Sequence, residues 1–326
     1  HIYNNNILIE WSKNTFYKIL IVMDNRAGPP ILSQSDGAKI ITHYINKRSP
    51  FTAGKLGTSE LNALWFYVSN RQRIIKPSYP QIVMKHMTIN AGLFPATNEA
   101  LDAWADHMLK HVLPNMTILA EWTKTSQERL ILNMVSPYSV RIPLRSLEPY
   151  YESDTSIRWT YNIPESSTIA IISPFAHTIK QQWIHRNRIW PSNNMWPTNL
   201  TIVPIQCGYS PALQPNSKSP NAWSIDIQNA GWQAAVHSMV AAAADSGSTL
   251  AVVGAGCISL PIVAGLKEKG IAAIHMGGAT QILFGIKGQR WISHEFISSL
   301  FNDAWVFPCA DEIPDEAQRV EEACYW

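Results

Sequence analysis

The chain has 326 residues, 46% hydrophobic, 15% charged and 10% aromatic, with 26 basic against 24 acidic side chains. This composition excludes a disordered chain and is long enough for one large domain or two modest ones. A net charge of +2 without single-sign blocks argues against an electrostatic platform for nucleic acid or a membrane surface.

Cys207, Cys257, Cys309 and Cys324 lie far apart with no Cys-x-x-Cys pair, a pattern that speaks against a structural zinc motif and a disulfide framework. Reduced cysteines in a cytoplasmic chain are expected, although Cys309 and Cys324 could pair in an oxidising compartment. The glycosylation sequons at Asn115 and Asn199 are of a kind that arises easily by chance. The chain opens at His1 without an initiator Met or a basic-then-apolar leader, so no signal peptide is read, and an excised piece of a longer protein stands as one open reading.

In chain order, residues 17–23 form a short apolar run suited to a buried strand, followed by a loop over 25–30. Residues 38–45 read as helix and 51–56 as a strand leading into Gly57-Thr58-Ser59-Glu60. Leu61, Leu64, Trp65 and Val68 then recur at helical spacing, with Thr58 or Ser59 as the expected N-cap. Thr97 is a second expected N-cap, for a helix whose Leu101, Trp104, Ala105, Met108, Leu109 and Val112 make an apolar stripe read as core.

The second half alternates more regularly. Strands are expected at 168–172, 200–205, 249–253 and 271–276, and helices at 232–245, 259–269 and 281–286, with Gly270 ending the second of these. The apolar stretch 250–266 approaches membrane-spanning length but contains Gly254, Gly256, Pro261 and Gly265, so it reads as strand, glycine turn and helix. Strands alternating with helices predict an α/β fold: a Rossmann-like, mostly parallel sheet with helices on both faces. In such sheets ligands bind beyond the carboxyl ends of the strands.

Four strand ends carry small or polar residues: Gly57-Thr58-Ser59-Glu60, Ser173-Pro174-Phe175, Gly254-Ala255-Gly256 and Gly277-Gly278-Ala279-Thr280. Glycine admits a close ligand, and a helix starting just beyond it presents free N–H groups that suit a diphosphate. The bland alternative is tight turn geometry alone. Gly254-Ala255-Gly256 is a poor dinucleotide fingerprint, because Ser259 stands where the third glycine belongs and the next strand ends in Ile274, His275 and Met276 without an acid. The missing acid also weakens a methyl-transfer reading.

Spacing alone favours Glu60 as an acid that stabilises a helix N-terminus; the same position would let it take a proton from an acceptor hydroxyl or touch a donor sugar. Lys55, Lys287 and Arg290 are candidates to neutralise a leaving diphosphate, against the alternative of solvated cations. His177 and His275 fall near expected loops, where ordinary hydrogen-bonded histidines are the commoner outcome. Trp183, Trp190 and Trp196 lie in a Pro- and Asn-containing stretch that reads as packing before it reads as an acceptor-facing flap.

Gly54-Lys55-Leu56-Gly57-Thr58-Ser59-Glu60-Leu61 resembles the R-[FY]-G-D-G-E segment of the GT-D-type glycosyltransferases. The Ile171-Ile172-Ser173-Pro174-Phe175 string, the Gly254-Ala255-Gly256 turn, the stretch 277–291 and the ending 320–326 look like related bacterial, algal and large-virus sugar transferases. The resemblance implies a segment 1–50 packed on a glycosyltransferase domain over 51–326, with the sugar-nucleotide loops mainly in 166–291. It implies transfer of a sugar from a UDP- or GDP-linked donor to a glycan acceptor, with no nucleic-acid partner and no membrane span. Glu60 would be the catalytic carboxylate. The donor would be held by Lys55, Gly57, Thr58, Ser59, Ser173, Pro174, Phe175, Gly254, Ala255, Gly256, Gly277, Gly278, Gln281, Lys287 and Arg290. Thr58 and Ser59 replace the Asp and second Gly of the family segment, so no resident cofactor is expected, although a divalent metal such as manganese is conceivable. The competing readings are a catalytically silent sugar-nucleotide or glycan-binding module and another nucleotide-dependent Rossmann-like enzyme.

Overall fold

The computed structural model describes residues 28–70, 73–74, 76–192, 195–213 and 221–326, and the strand expected at 17–23 lies outside them. Among the described residues seven strands form one sheet: β1 (Thr52–Lys55), β2 (Ile118–Glu121), β3 (Val140–Pro143), β4 (Thr168–Ser173), β5 (Thr201–Gln206), β6 (Leu250–Val253) and β7 (Ala272–His275). Their order is β3-β2-β1-β7-β6-β4-β5, and every pairing is parallel. Among the described residues the helices of eight or more residues are α1 (Gln34–Lys47), α2 (Thr58–Asn70), α3 (Asn98–His107), α4 (Ser126–Val135), α5 (Ala176–Trp183), α6 (Trp232–Asp245) and α7 (Ser259–Glu268).

A parallel sheet must be covered on both faces, and the strand sequences show it. β2, β6 and β7 are buried throughout, whereas the edge strands β3 and β5 are partly exposed and are the two that contain proline, which cannot donate to a ladder. Ala170, Ile172, Ala251, Val253 and Ala273 face one core with α2, α3, α4, α6 and α7. Ile169, Ile171, Leu250, Val252 and Ile274 face the other, with α1, α5 and the chain beyond β7. Each Ile, Leu or Val among them contributes roughly 1.5–3 kcal/mol on burial, and each Ala less.

Handedness explains which helices lie where. The steps β1→β2→β3 and β5→β6→β7 move toward the β3 edge and cross on the first face; the steps β3→β4→β5 move toward the other edge and cross on the second. Right-handed crossovers require this segregation. In consequence the chain leaves β1 and β6 toward one face and leaves β7 and β4 toward the other. The carboxyl ends of β1, β7, β6 and β4, adjacent in that order, therefore enclose a crevice at a topological switch.

Local expectations can be compared residue by residue. Thr97 caps α3 by accepting the Ala100 N–H, and the whole stripe from Leu101 to Val112 is buried, with the Trp104 indole donating to the Cys257 carbonyl at 3.0 Å. α6 spans the expected residues, and Gly270 follows α7 with φ +79°. The expected cap at Thr58 or Ser59 is displaced by one residue, because α2 already includes Thr58 and its first turn closes from Leu61 N–H to the Gly57 carbonyl. The helix expected at 281–286 is shortened to Thr280–Leu283, since Gly285 takes φ +65° and Ile286 bridges Val306. No helix among the described residues is long and apolar enough to cross a membrane.

Candidate functional site

A cavity of about 400 Å³ opens at the carboxyl edge of the sheet. Its wall includes Lys55, Gly57, Thr58, Ser59 and Glu60 from the β1 turn, Ser173, Pro174 and Phe175 from β4, Gly254, Ala255 and Gly256 from β6, and Gly277, Gly278, Gln281 and Arg290 beyond β7. Of the residues expected to hold a donor, Lys287 is the exception. Its ammonium lies 5.5 Å from the Phe301 ring and 5.9 Å from the Phe307 ring, outside that wall.

Lys55 is the last residue of β1 and points its ammonium toward Trp122, 5.0 Å from the ring centroid. It makes no hydrogen bond or ion pair among the described residues. Burial holds its pKa below the ordinary lysine value, partly opposed by the nearby carboxylates Glu60 and Glu148. Trp122 is itself anchored by its indole N–H donating to the Thr58 hydroxyl at 3.1 Å. The two strand ends β1 and β2 thus hold one cation and one aromatic face together.

Glu60 sits in the first turn of α2 and folds its carboxylate back over the Gly57 α-carbon. A Cβ built on Gly57 would stand 2.2 Å from a Glu60 carboxylate oxygen, so the absence of a side chain at 57 is what gives this carboxylate its place. It accepts no hydrogen bond among the described residues. Gly256 answers a different demand: it has φ +59°, and a Cβ there would stand 2.3 Å from the Ala91 carbonyl oxygen.

Around these groups the polar atoms are held by short local bonds. Ser173 Oγ accepts the Phe175 N–H at 3.1 Å, and Ser259 Oγ accepts the Ala255 N–H at 2.8 Å. His275 is buried, with Nδ1 3.1 Å from the Val253 carbonyl and 3.2 Å from the Gly277 N–H. Burial, with a smaller contribution from the Lys55 charge, lowers its pKa to about 3, so the imidazole is neutral at pH 7. Gln281 spends its amide N–H groups on the carbonyls of Ile286, Lys287 and Tyr325, while its Oε1 and the neighbouring Thr280 Oγ1 are buried without a partner among the described residues.

The C-terminal segment completes the wall. Arg290 donates to the Tyr325 hydroxyl at 3.3 Å, stacks 4.4 Å from that ring and pairs with Glu321. Burial pushes the Tyr325 hydroxyl up to about 12, which keeps it a neutral donor. Trp326 donates to the Glu312 carbonyl and lies edge-on to Tyr209 and Phe175. Trp122, Asn90, Tyr209 and Trp223 also line the cavity and carry no motif that marks them in the sequence. The one available signal for Trp122 is the short apolar run before it.

Trp183, Trp190 and Trp196 do not line the cavity. Trp196 stacks on Phe284 at 5.6 Å with Trp183 edge-on to it, and the Trp190 indole donates to the Leu283 carbonyl, so these rings are packing. A three-donor cluster of His177, Cys309 and Asp311 lies outside the cavity wall, its ligand atoms within 4.8 Å of one another. All four cysteines are free thiols, so Cys309 and Cys324 are not paired.

No family model, no curated protein and no solved structure matches the chain. The architecture is a Rossmann-like α/β sheet compatible with a nucleotide-binding enzyme.

Proposed function

We propose that the protein is a glycosyltransferase that moves a sugar from a nucleoside diphosphate sugar, UDP- or GDP-linked, to a glycan acceptor. The observation that carries this reading is the Lys55 ammonium, which makes no hydrogen bond or ion pair among the described residues, on the same turn as the unbonded Glu60 carboxylate, inside a cavity at the switch point of a parallel sheet. Lys55 is half-buried and its nearest carboxylates, Glu60 and Glu148, make no ion pair with it, so a diphosphate in the cavity would supply a direct partner for the ammonium. The resemblance of the 54–61 segment to the GT-D type adds the sugar to what would otherwise be a nucleotide site.

In this reading the acceptor hydroxyl oxygen forms the new bond to the anomeric carbon, and its proton passes to Glu60. The bond from that carbon to the diphosphate oxygen breaks, and the electron pair leaves on the diphosphate, whose charge Lys55 and Arg290 offset. These two cations, rather than a metal ion, are assigned the neutralising role.

Calorimetric titration with a panel of nucleoside diphosphates and their sugars, with manganese and after chelation, tests the proposal. One diphosphate is expected to bind unaffected by chelator, and Lys55→Met to weaken it roughly 10–100-fold through loss of a charged hydrogen bond. Glu60→Gln is expected to bind the donor as before and to transfer sugar about 100-fold more slowly or worse. Binding without turnover of any donor makes the chain a silent binding module, and binding of none overturns the nucleotide reading.

A further inference from the structure

We propose that His177, Cys309 and Asp311 form a zinc site that clasps the C-terminal segment to the helix following β4. A thiolate, an imidazole and a carboxylate are donors that zinc accepts together, with a water completing four-coordination, whereas magnesium and calcium prefer oxygen alone. A tetrahedral zinc with bonds of about 2.0–2.3 Å sets its donors about 3.5 Å apart. Here His177 Nδ1 already stands 3.1 Å from an Asp311 carboxylate oxygen, and all three donors fall within 4.8 Å of one another, so closure needs a shift of about one ångström.

The backbone that carries these donors is fixed independently of any metal. The carboxylate of Glu312, next to Asp311, is buried and accepts the N–H groups of His177 and Thr178 at 2.8 and 3.2 Å, together with the Thr178 hydroxyl. The same hydroxyl oxygen accepts the Cys309 N–H at 2.9 Å. Segments 134 residues apart along the chain are thereby held in register: His177 and Cys309 are bonded through their own N–H groups, and Asp311 is next to Glu312.

Gln181 supplies the outer support that a metal site of this kind requires. One turn along α5 from His177, its amide lies between the two nitrogen- and sulfur-bearing ligands, 2.9 Å from His177 Nε2 and 3.5 Å from Cys309 Sγ. With a protonated thiol the amide oxygen accepts from sulfur. When zinc takes Nδ1 and the thiolate, the thiol proton goes to solvent, Nε2 becomes a donor and sulfur an acceptor. A half-turn of the same amide then presents its oxygen to Nε2–H and its N–H to the thiolate, satisfying both ligands with one side chain.

The clasp has a structural consequence. The carbonyl of Glu312 accepts the Tyr209 hydroxyl at 2.7 Å and the Trp326 indole at 3.2 Å, and both rings line the central cavity. Zinc at the cluster would fix one wall of that cavity from outside it.

The test uses the full chain stripped of metal, titrated with zinc alone and with cobalt(II) as a spectroscopic substitute. A near-ultraviolet thiolate-to-cobalt charge-transfer band is expected. Cys309→Ser should abolish the band, His177→Ala should weaken zinc on the order of 100-fold, and Gln181→Leu about tenfold. Cys324→Ser should leave the band intact. His107 and His111, whose rings lie 5.4 Å apart, are the competing place for zinc, and His107→Ala should leave the band unchanged. The three ligand positions are partly exposed, so the variants are expected to melt with the metal-free parent. Absence of the band, or zinc affinity unchanged in both ligand variants, overturns the proposal.

Discussion

Glu60 and Glu128 occupy comparable places at the ends of neighbouring strands, each in the first turn of a helix, and they are used in opposite ways. Glu128 is fully buried and accepts the N–H groups of Trp122, Thr123 and Lys124 at 3.0, 2.9 and 2.7 Å, as well as the Thr123 hydroxyl. Its charge is consumed by the turn that follows β2. Glu60 faces the cavity and accepts nothing among the described residues. The contrast extends around each: the β2 turn is saturated with hydrogen bonds, whereas among the described residues the β1 turn holds Lys55 with no hydrogen bond or ion pair, and beyond β7 Thr280 Oγ1 and Gln281 Oε1 are buried without a partner. Unpaired buried atoms occur elsewhere too, Arg141 Nη1 on β3 among them, so what sets the β1 turn apart is that Lys55 and Glu60 both stand on the cavity wall without a hydrogen bond or ion pair among the described residues.

Removing Glu128 should therefore break the fold where removing Glu60 does not. Glu128→Ala strands three backbone N–H groups, and at roughly 1 kcal/mol or more for each the loss is about 3 kcal/mol. Urea unfolding should show this loss for Glu128→Ala, and a change within about 0.5 kcal/mol for Glu60→Gln. Equal losses in the two variants would erase the distinction.

The cavity wall also carries a stability cost that depends on pH. His275 has its pKa lowered to about 3 in the folded chain, against 6.5 as the ordinary value. As pH falls through that window the unfolded chain takes up a proton that the folded chain refuses. The contribution is harmless above about pH 6.5 and stability is lost progressively toward pH 3, with a slope approaching about 1.4 kcal/mol per pH unit. Stability measured across this range should show a shallower slope in His275→Asn, which keeps a side-chain atom near the Gly277 N–H. An unchanged slope would place the titration elsewhere.

The sequence showed the β4–β7 half of this fold more clearly than the β1–β3 half, for a physical reason. Strands at 168–173, 250–253 and 272–275 are apolar runs with glycine or serine close to their ends, and the first two hand over to the helices α5 and α7. β2 and β3 are four residues each, and they are interrupted by the charges of Glu121 and Arg141 that the folded protein buries. Buried Arg141 donates to the Ser136 carbonyl, a compensation that only the folded backbone reveals. Thr125-Ser126-Gln127-Glu128 has the form of a capping box, and Thr125 accepts the Glu128 N–H, a signal for the turn after β2 that the elements expected in chain order do not include. The cavity's glycine turns were legible because backbone proximity constrains residue type. Trp122, Tyr209 and the His177, Cys309 and Asp311 cluster were not, since their neighbours are remote in the chain and no spacing rule connects them.

The smallest expected change in stability sharpens the comparison most. Gly57 has no positive φ, so alanine fits its backbone, and the atom its methyl would meet at 2.2 Å is the far end of the flexible Glu60 side chain. Gly57→Ala should thus alter stability by less than about 1 kcal/mol, the entropy lost by the unfolded chain offsetting part of the local crowding. It must, however, move the carboxylate. If Glu60 acts on the acceptor, a displacement of about 1 Å lowers the transfer rate about 100-fold while donor affinity, set by Lys55 and Arg290, stays close to that of the parent. Parent-like turnover with a parent-like melting temperature would mean that the position of this carboxylate is immaterial, and Glu60 would then stand beside Glu128 as a helix-terminal acid with a weaker set of bonds.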